Sequence, residues 1–204
     1  KRDRSRIVPR LGAFLTRHQA AAFYAQPNEG TEGRETYFFT AAEFRRSPGL
    51  AAEAVSGILT DRRAIIRKAR GDVFFFSRDE PDRGYRPVTF RVFLWQPDAE
   101  VEADLGFAEV SASSGHPVTS PEQGGRIVPP AEALAGLFFK EAGQWRRLVL
   151  SPEERRLLPE TARRALAASN AGLKHKLRVA GVDLVLEVAG GRIRPVVLEI
   201  NPRP

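Results

Sequence analysis

Apolar and polar residues alternate most regularly over residues 88–95, and this pattern predicts a half-buried β-strand. One face would carry Val88, Phe90, Val92 and Leu94, and the other Thr89, Arg91 and Phe93. Successive side chains of a strand point to opposite faces of the sheet, so Arg91 is expected on the less apolar face. Arg91 can therefore point into a cleft.

Further apolar runs predict strands at residues 23–25, 36–40, 64–66, 73–76, 182–188 and 194–200, and residues 100–112 predict a strand pair. Residues 64–66 and 73–76 are expected to be joined by a basic turn that contains Arg67, Lys68 and Arg70. The last two strands are joined through Gly190-Gly191, which suits the positive backbone angles of a tight hairpin turn.

Helical spacing is found at residues 13–23, at residues 41–59, and from residue 152 to about residue 170. Thr40 with Glu43 has the pattern of a capping box, and Ser151 is expected to cap the last helix. Residues 113–128 form a long loop rich in Ser, Gly and Pro that contains Gly124-Gly125. Loops of this length within a compact domain are usually functional or disordered.

The order of these elements favours an α+β fold, because long alternating βα units are missing and a Rossmann domain is thereby disfavoured. A chain of 204 residues is long enough for two small lobes that share one cleft. We expect a smaller lobe at residues 1–85 and a larger lobe at residues 86–204.

Composition is ordinary for a soluble globular protein, with 42% hydrophobic and 28% charged residues. The sequence contains no apolar run of the roughly 20 residues that a membrane span requires, and residues 1–10 do not resemble a secretory signal. We expect a cytoplasmic location and no membrane partner. Without cysteine, disulfides and thiolate metal sites are excluded. The absence of methionine and the abrupt end after Pro204 suggest a part of a longer polypeptide.

The formal net charge of +7 comes mostly from arginines that are spread along the chain. Such an excess favours anionic partners, including nucleotide phosphates, acidic substrates and nucleic acid. It is equally explained by the base composition of the gene, with the charges simply solvated. Charge alone therefore does not decide the function.

The closing hairpin carries Asp183 on its first strand and Glu199 and Asn201 on or after its second strand. If the strands pair about Gly190-Gly191, these oxygen-bearing side chains converge at one end of the sheet. Two carboxylates and an amide without histidine or cysteine suit Mg²⁺, or Mn²⁺ as the alternative. From spacing alone, the same residues can also be polar residues on a solvated face.

The segments Ala180-Gly181-Val182-Asp183-Leu184-Val185 and Val197-Leu198-Glu199-Ile200-Asn201-Pro202 resemble the terminal hairpin of ATP-grasp enzymes. The resemblance implies two α+β lobes clasping a nucleotide between them, with ATP and Mg²⁺ as cofactors. It also implies that Asp183, Glu199 and Asn201 are the metal ligands. Arg91 is similar to the family's central-strand arginine, and Gly124-Gly125 resembles a pair found in glutamate-ligase-like members.

Residues 26–34 resemble the family's flexible phosphate-covering loop, and the implied nucleotide-binding residues are Gln26, Asn28, Gly30, Thr31, Gly33 and Arg34. Glycines allow the backbone to approach anionic oxygens closely. Gln26 departs from the family, which usually has a lysine at this position. Glutamine can form hydrogen bonds but cannot neutralise the charge of the phosphates. Either Arg34, Lys68 or another cation substitutes, or the domain binds nucleotide weakly and has lost catalysis. Arg67-Lys68 also stands where an acidic or amide residue commonly meets adenine.

The resemblance implies an ATP-dependent carboxylate–amine ligase that forms an acyl phosphate, with Arg91 and Arg203 anchoring phosphate or carboxylate groups. The expected partners are ATP and small-molecule or peptide acids and amines. Two alternatives stay open, a small-molecule kinase of the same fold and a non-catalytic nucleotide- or nucleic-acid-binding scaffold. Nucleic acid is disfavoured, because aromatic runs such as residues 74–76 are typical of a core. The oligomeric state is not indicated.

Overall fold

A computed structural model describes residues 4–28, 35–60, 62–98, 100–115 and 117–202. The helices are α1 Ile7–Arg17, α2 Ala41–Arg46, α3 Pro48–Ile58, α4 Pro130–Ala135 and α5 Pro152–Ala171. The strands are β1 Ala22–Pro27, β2 Tyr37–Thr40, β3 Ala64–Lys68, β4 Val73–Phe75, β5 Arg86–Trp95, β6 Glu102–Val110, β7 Arg126–Val128, β8 Leu137–Glu141, β9 Gln144–Arg147, β10 Val179–Ala189 and β11 Arg192–Asn201. In the described residues, no helix is both long and apolar enough to cross a membrane.

The chain divides into two compact units, Lys1–Ala69 and Arg70–Pro204. The boundary expected between residues 85 and 86 falls inside the second unit, because β4 pairs with β5 and β8 there. The prediction that Arg67 and Lys68 lie in a turn between β3 and β4 is wrong. Arg67 and Lys68 belong to β3 itself, which pairs with β1.

The first unit contains a three-stranded antiparallel sheet in the order β2-β1-β3. Alternate residues of β1 are buried, and Phe23 and Ala25 pack with apolar residues of α1, α2 and α3 in one core. Tyr24 and Gln26 therefore lie on the opposite face of β1.

The helices of the first unit differ in part from the sequence prediction. Helix α1 begins at Ile7 rather than at residue 13, because Ile7 and Leu11 supply one buried stripe at helical spacing. The predicted helix at residues 41–59 is two helices. Pro48 begins α3, and the residue before a proline is sterically disfavoured in the helical conformation, so the helix is interrupted there. The capping box is confirmed, with the Thr40 hydroxyl accepting from the Glu43 N–H at 3.1 Å.

The second unit is built on an antiparallel sheet in the order β11-β10-β5-β4-β8-β9, in which β6 also pairs with β5, and β7 with β6. The predicted alternation of β5 is confirmed. Its apolar face is buried in one cluster with Leu158, Ala162 and Leu166 of α5. The other face of β5 carries Thr89 and Arg91.

The closing elements also agree with the prediction. Helix α5 begins after Ser151, whose hydroxyl accepts from the Glu154 N–H at 3.2 Å. Strands β10 and β11 form the expected hairpin, and Gly190 and Gly191 have φ of 58° and 73°. Two other predictions were wrong. Residues 100–112 contain the single strand β6 rather than a pair, and the predicted loop at residues 113–128 ends in strand β7.

Candidate functional site

Four adjacent strands of the second unit bring one row of side chains together. In the pairing of β11, β10, β5 and β6, Glu199 lies opposite Asp183, Asp183 opposite Arg91, and Arg91 opposite Phe107. Directly opposed residues have side chains on the same face of a sheet. The row therefore lies on the face of β5 that points away from the core under α5.

Arg91 and Asp183 form a two-pronged ion pair in this row. The Arg91 Nε donates to Asp183 Oδ1 at 2.7 Å, and Nη2 donates to Oδ2 at 2.8 Å. The guanidinium also lies over the Phe107 ring, 5.4 Å from its centroid. The hydrogen bonds to Asp183 raise the pKa of Arg91 above its ordinary value. Asp183 is only 6% exposed, so its charge depends on this partner.

Asn201 joins the two carboxylates of the closing hairpin. Its Nδ2 donates to Asp183 Oδ2 at 3.1 Å and to Glu199 Oε1 at 3.0 Å. Glu199 is exposed, whereas Asn201 is half-buried. The structure thus brings together all three metal ligands that the resemblance implied.

Two irregularities in strand pairing shape this row. The β10–β11 register shifts between Asp183 and Leu184, and the β5–β6 register shifts between Arg91 and Val92. The second shift leaves Gly106 as the extra residue of β6. A Cβ at Gly106 would lie 2.2 Å from the Phe93 ring, so any side chain at this position requires the ring to move. Bulges of this kind re-aim the neighbouring side chains.

Glu109 extends the polar face beyond Arg91. Burial, followed by the negative charges of Asp183 and Glu199, raises the pKa of Glu109, and Arg91 counteracts this rise. The Thr119 hydroxyl lies 3.1 Å from the Thr89 hydroxyl and 3.5 Å from Glu109 Oε2. Glu109 is therefore a third carboxylate, beside Asp183 and Glu199, that interacts electrostatically with Arg91.

The Gly124-Gly125 pair holds the loop that carries Thr119. Gly124 has φ of 82°, and a Cβ at Gly125 would lie 2.2 Å from the Thr119 carbonyl oxygen. A larger residue at position 125 would therefore displace the loop. Gly124 and Gly125 therefore influence the polar face of β5 indirectly, through the position of Thr119.

The oxygen-only donor set fits a hard cation such as Mg²⁺. The Asn201 Nδ2 bridges Asp183 and Glu199. A 180° rotation of the amide group would place its oxygen between the same two carboxylates. In the described part of the chain, no group of three or more His, Asp and Glu residues is arranged to hold a metal. A cation at this site would therefore need the Asn201 amide and further oxygen ligands to complete its shell.

The predicted nucleotide-binding residues of the first unit lie on both faces of its sheet. Gln26 is half-buried, and its Oε1 accepts from Arg67 Nη2 at 2.6 Å. Lys68 lies opposite Phe23, on the core-facing side, and its Nζ donates to the His18 carbonyl at 3.1 Å. Asn28 is exposed, and its N–H donates to the Arg63 carbonyl at 2.9 Å. The structure therefore brings Arg67 to Gln26, and not Lys68.

The remaining predicted site residues lie outside the described residues. They are Gly30, Thr31, Gly33 and Arg34 of the predicted loop, and Arg203 after the closing hairpin.

The sequence did not indicate Glu109 or Thr119, and it placed Arg67 in a turn without relating it to Gln26. The alternation of β6 contained a usable signal, because Glu109 has the same parity as Phe107, the partner of Arg91. In the first unit, Arg67 lies opposite Tyr24 of β1, on the face of the sheet that also carries Gln26. Both signals require the strand register, which the chain alone does not give.

Comparison with known proteins yields a match of fold. No protein-family model and no curated protein matches the chain. Among solved structures, it is similar to D-cycloserine synthetase DcsG, with a TM-score of 0.51 and 19% identity. The likeness is one of architecture. The match covers 95% of this chain and 52% of the synthetase, so the chain spans about half of that protein's length. At this identity, a mixed α/β architecture with antiparallel sheets, compatible with an ATP-grasp-like fold, is what the comparison supports.

Proposed function

We propose that this chain is the ATP- and Mg²⁺-binding part of an ATP-grasp ligase that joins a carboxylate to an amine. One observation carries the proposal. Asp183, Glu199 and Asn201 converge on one face of the sheet, and Arg91 adjoins them. The fold likeness to a synthetase supports the same interpretation.

In this proposal, Asp183, Glu199 and Asn201 hold Mg²⁺, which would neutralise charge on the phosphate oxygens of ATP. Arg91 anchors a phosphate or carboxylate group, because its planar guanidinium matches either anion. Phosphoryl transfer depends mainly on positioning and charge stabilisation, so a side-chain nucleophile is not required.

The proposed reaction has two balanced steps. A substrate carboxylate oxygen attacks the γ-phosphorus of ATP, the bond to the β-phosphate oxygen breaks, and ADP leaves. The nitrogen of an amine then attacks the acyl carbon, phosphate leaves with the bonding electron pair, and the amine loses a proton. The net charge of +7 favours an acidic substrate.

Trapping with hydroxylamine tests the ligase chemistry. Hydroxylamine takes the place of the amine and converts an acyl phosphate into a hydroxamate, so a panel of carboxylic acids can be screened with ATP and Mg²⁺. The ligase forms hydroxamate only when acid, ATP and Mg²⁺ are all present. Release of ADP together with a phosphorylated substrate, and without hydroxamate, would instead identify a kinase.

One observation favours a second candidate, a non-catalytic nucleotide-binding scaffold. Gln26 is neutral at the start of the predicted phosphate-covering loop, and glutamine cannot neutralise a phosphate. A scaffold would bind the nucleotide but turn over no acid in the same screen.

A further inference from the structure

Arg67 and Gln26 form a pair on one face of the first unit's sheet. Arg67 lies opposite Tyr24 in the β1–β3 pairing, and Gln26 is two residues farther along β1 on the same face. The Arg67 Nη2 donates to Gln26 Oε1 at 2.6 Å. The amide thus fixes the position of a guanidinium that belongs to the neighbouring strand.

The charge of Arg67 is balanced differently from that of three other buried or partly buried arginines. Arg70, Arg86 and Arg91 each form an ion pair with a carboxylate, at 2.7, 2.8 and 2.7 Å. In the part of the chain that the structure describes, Arg67 has the neutral Gln26 as its hydrogen-bonding partner and no ion pair with a carboxylate. A half-buried cation of this kind retains its capacity to bind an anion.

The pair lies at the entrance to the predicted phosphate-covering loop. Gln26 is followed by Pro27, which ends β1, and by Asn28. The Asn28 N–H donates to the Arg63 carbonyl, which ties the start of the loop to the chain that leads into β3. Arg67 is therefore held on the strand beside the position from which the loop departs.

We infer that Arg67 is the cation that binds the nucleotide phosphates in the first unit, with Gln26 as its positioning residue. The inference rests on the proposed nucleotide-binding function and adds a binding residue to it. A polyphosphate needs a positive charge that Gln26 cannot supply, and the guanidinium hydrogen-bonded to it can supply that charge. Gln26 keeps one part of the guanidinium occupied and leaves its other N–H groups to an anion.

Lys68 is the rival cation, and the structure separates the two. Lys68 lies on the core-facing side of β3, and its ammonium is engaged by the His18 carbonyl. The register of a strand places neighbouring residues on opposite faces, so Arg67 and Lys68 cannot serve the same face of the sheet.

Isothermal titration of the full chain with Mg²⁺ and a non-hydrolysable ATP analogue tests this assignment. Arg67→Ala should weaken binding by about tenfold or more, as expected for loss of a charge-assisted contact. Arg46→Ala, which removes an exposed cation of α2, is the matched control and should change affinity less than about twofold. Circular dichroism establishes that each variant is folded.

A charge relocation makes the test specific. The double variant Gln26→Lys with Arg67→Ala returns one positive charge to the same face and should recover most of the lost affinity. Equal binding by Arg67→Ala and the unaltered chain, or a larger loss in Lys68→Ala, would overturn the assignment of Arg67 while leaving nucleotide binding intact. An unaltered chain that is folded and binds no analogue would overturn the proposed function as well.

Discussion

At the scale of single residues, Arg91 balances the charge of the candidate site. Three carboxylates, Asp183, Glu199 and Glu109, act electrostatically on its guanidinium. The pattern of β5 predicted which face Arg91 occupies, but not its partner, because Arg91 and Asp183 are 92 residues apart and meet only through strand pairing. The register of paired strands is a tertiary property.

Replacing Arg91 should expose the repulsion among these carboxylates. Arg91→Gln removes the charge that Asp183 needs and should lower the free energy of unfolding by about 2 kcal/mol, less than for a fully buried pair because Arg91 is partly exposed. Urea unfolding measures the loss. In the proposed site Mg²⁺ and Arg91 would compete for Asp183, so added Mg²⁺ should stabilise the variant more than the unaltered chain.

Arg83→Gln serves as the control for the effect of Mg²⁺. Arg83 pairs with Glu80 at 3.2 Å, and Glu80 keeps its hydrogen bond from Arg86 when Arg83 is changed. The variant should therefore gain no stability from Mg²⁺ beyond that of the unaltered chain. An equal gain in all three chains would show that Arg91 does not compete with the cation.

Glu109 should make stability depend on pH. Because burial raises its pKa, the folded chain holds a proton on Glu109 over a range in which the unfolded chain has lost it. Stability should therefore fall as the pH rises from the ordinary glutamate pKa through the folded value. In Glu109→Gln this fall should be smaller, so the variant becomes relatively more stable from about pH 4 toward pH 7.

Unfolding by urea across this pH range measures the effect. Thr119→Val, which removes the hydroxyl that lowers the pKa of Glu109, should make the fall steeper. Parallel curves for Glu109→Gln and the unaltered chain would contradict the account.

At the scale of elements, the bulge between β5 and β6 supports the site. Gly106→Ala would place a Cβ 2.2 Å from the Phe93 ring, so the ring and its strand must shift. Overpacking of this kind should lower stability by about 1–3 kcal/mol. Gly115→Ala is the matched control, since a Cβ there would meet no atom within 4 Å.

Thermal unfolding of the two glycine variants measures their loss of stability. A loss in Gly106→Ala that is no larger than that in Gly115→Ala would mean that β6 adapts without strain.

Elements with strong local signals were predictable from the chain. The capping residues Thr40 and Ser151, the alternation in β5 and the glycine turn of the closing hairpin each depend on neighbouring residues alone. The short strands β8 and β9 were missed, because their half-exposed residues show no regular alternation. The single strand β6 differs from the predicted pair because its glycine, Gly106, forms a bulge rather than a turn.

At the scale of the whole molecule, the division into units was the least predictable feature. Strand β4 follows β3 closely in sequence, yet β3 pairs with β1 and β4 pairs with β5 and β8. Nothing in the local sequence distinguishes these partners, because each strand is short and its pairing is not encoded by neighbouring residues. The convergence of Asp183, Glu199 and Asn201 was predictable because one hairpin carries all three.

We propose above all that this chain binds ATP through a cation at Asp183, Glu199 and Asn201. Isothermal titration with a non-hydrolysable ATP analogue, with and without Mg²⁺, tests it most directly, with Glu102→Ala on β6 as an exposed carboxylate control for Glu199→Ala. We expect binding that requires Mg²⁺, is lost in Glu199→Ala and persists in Glu102→Ala. Equal binding without Mg²⁺, or an unchanged affinity in a folded Glu199→Ala variant, would contradict it.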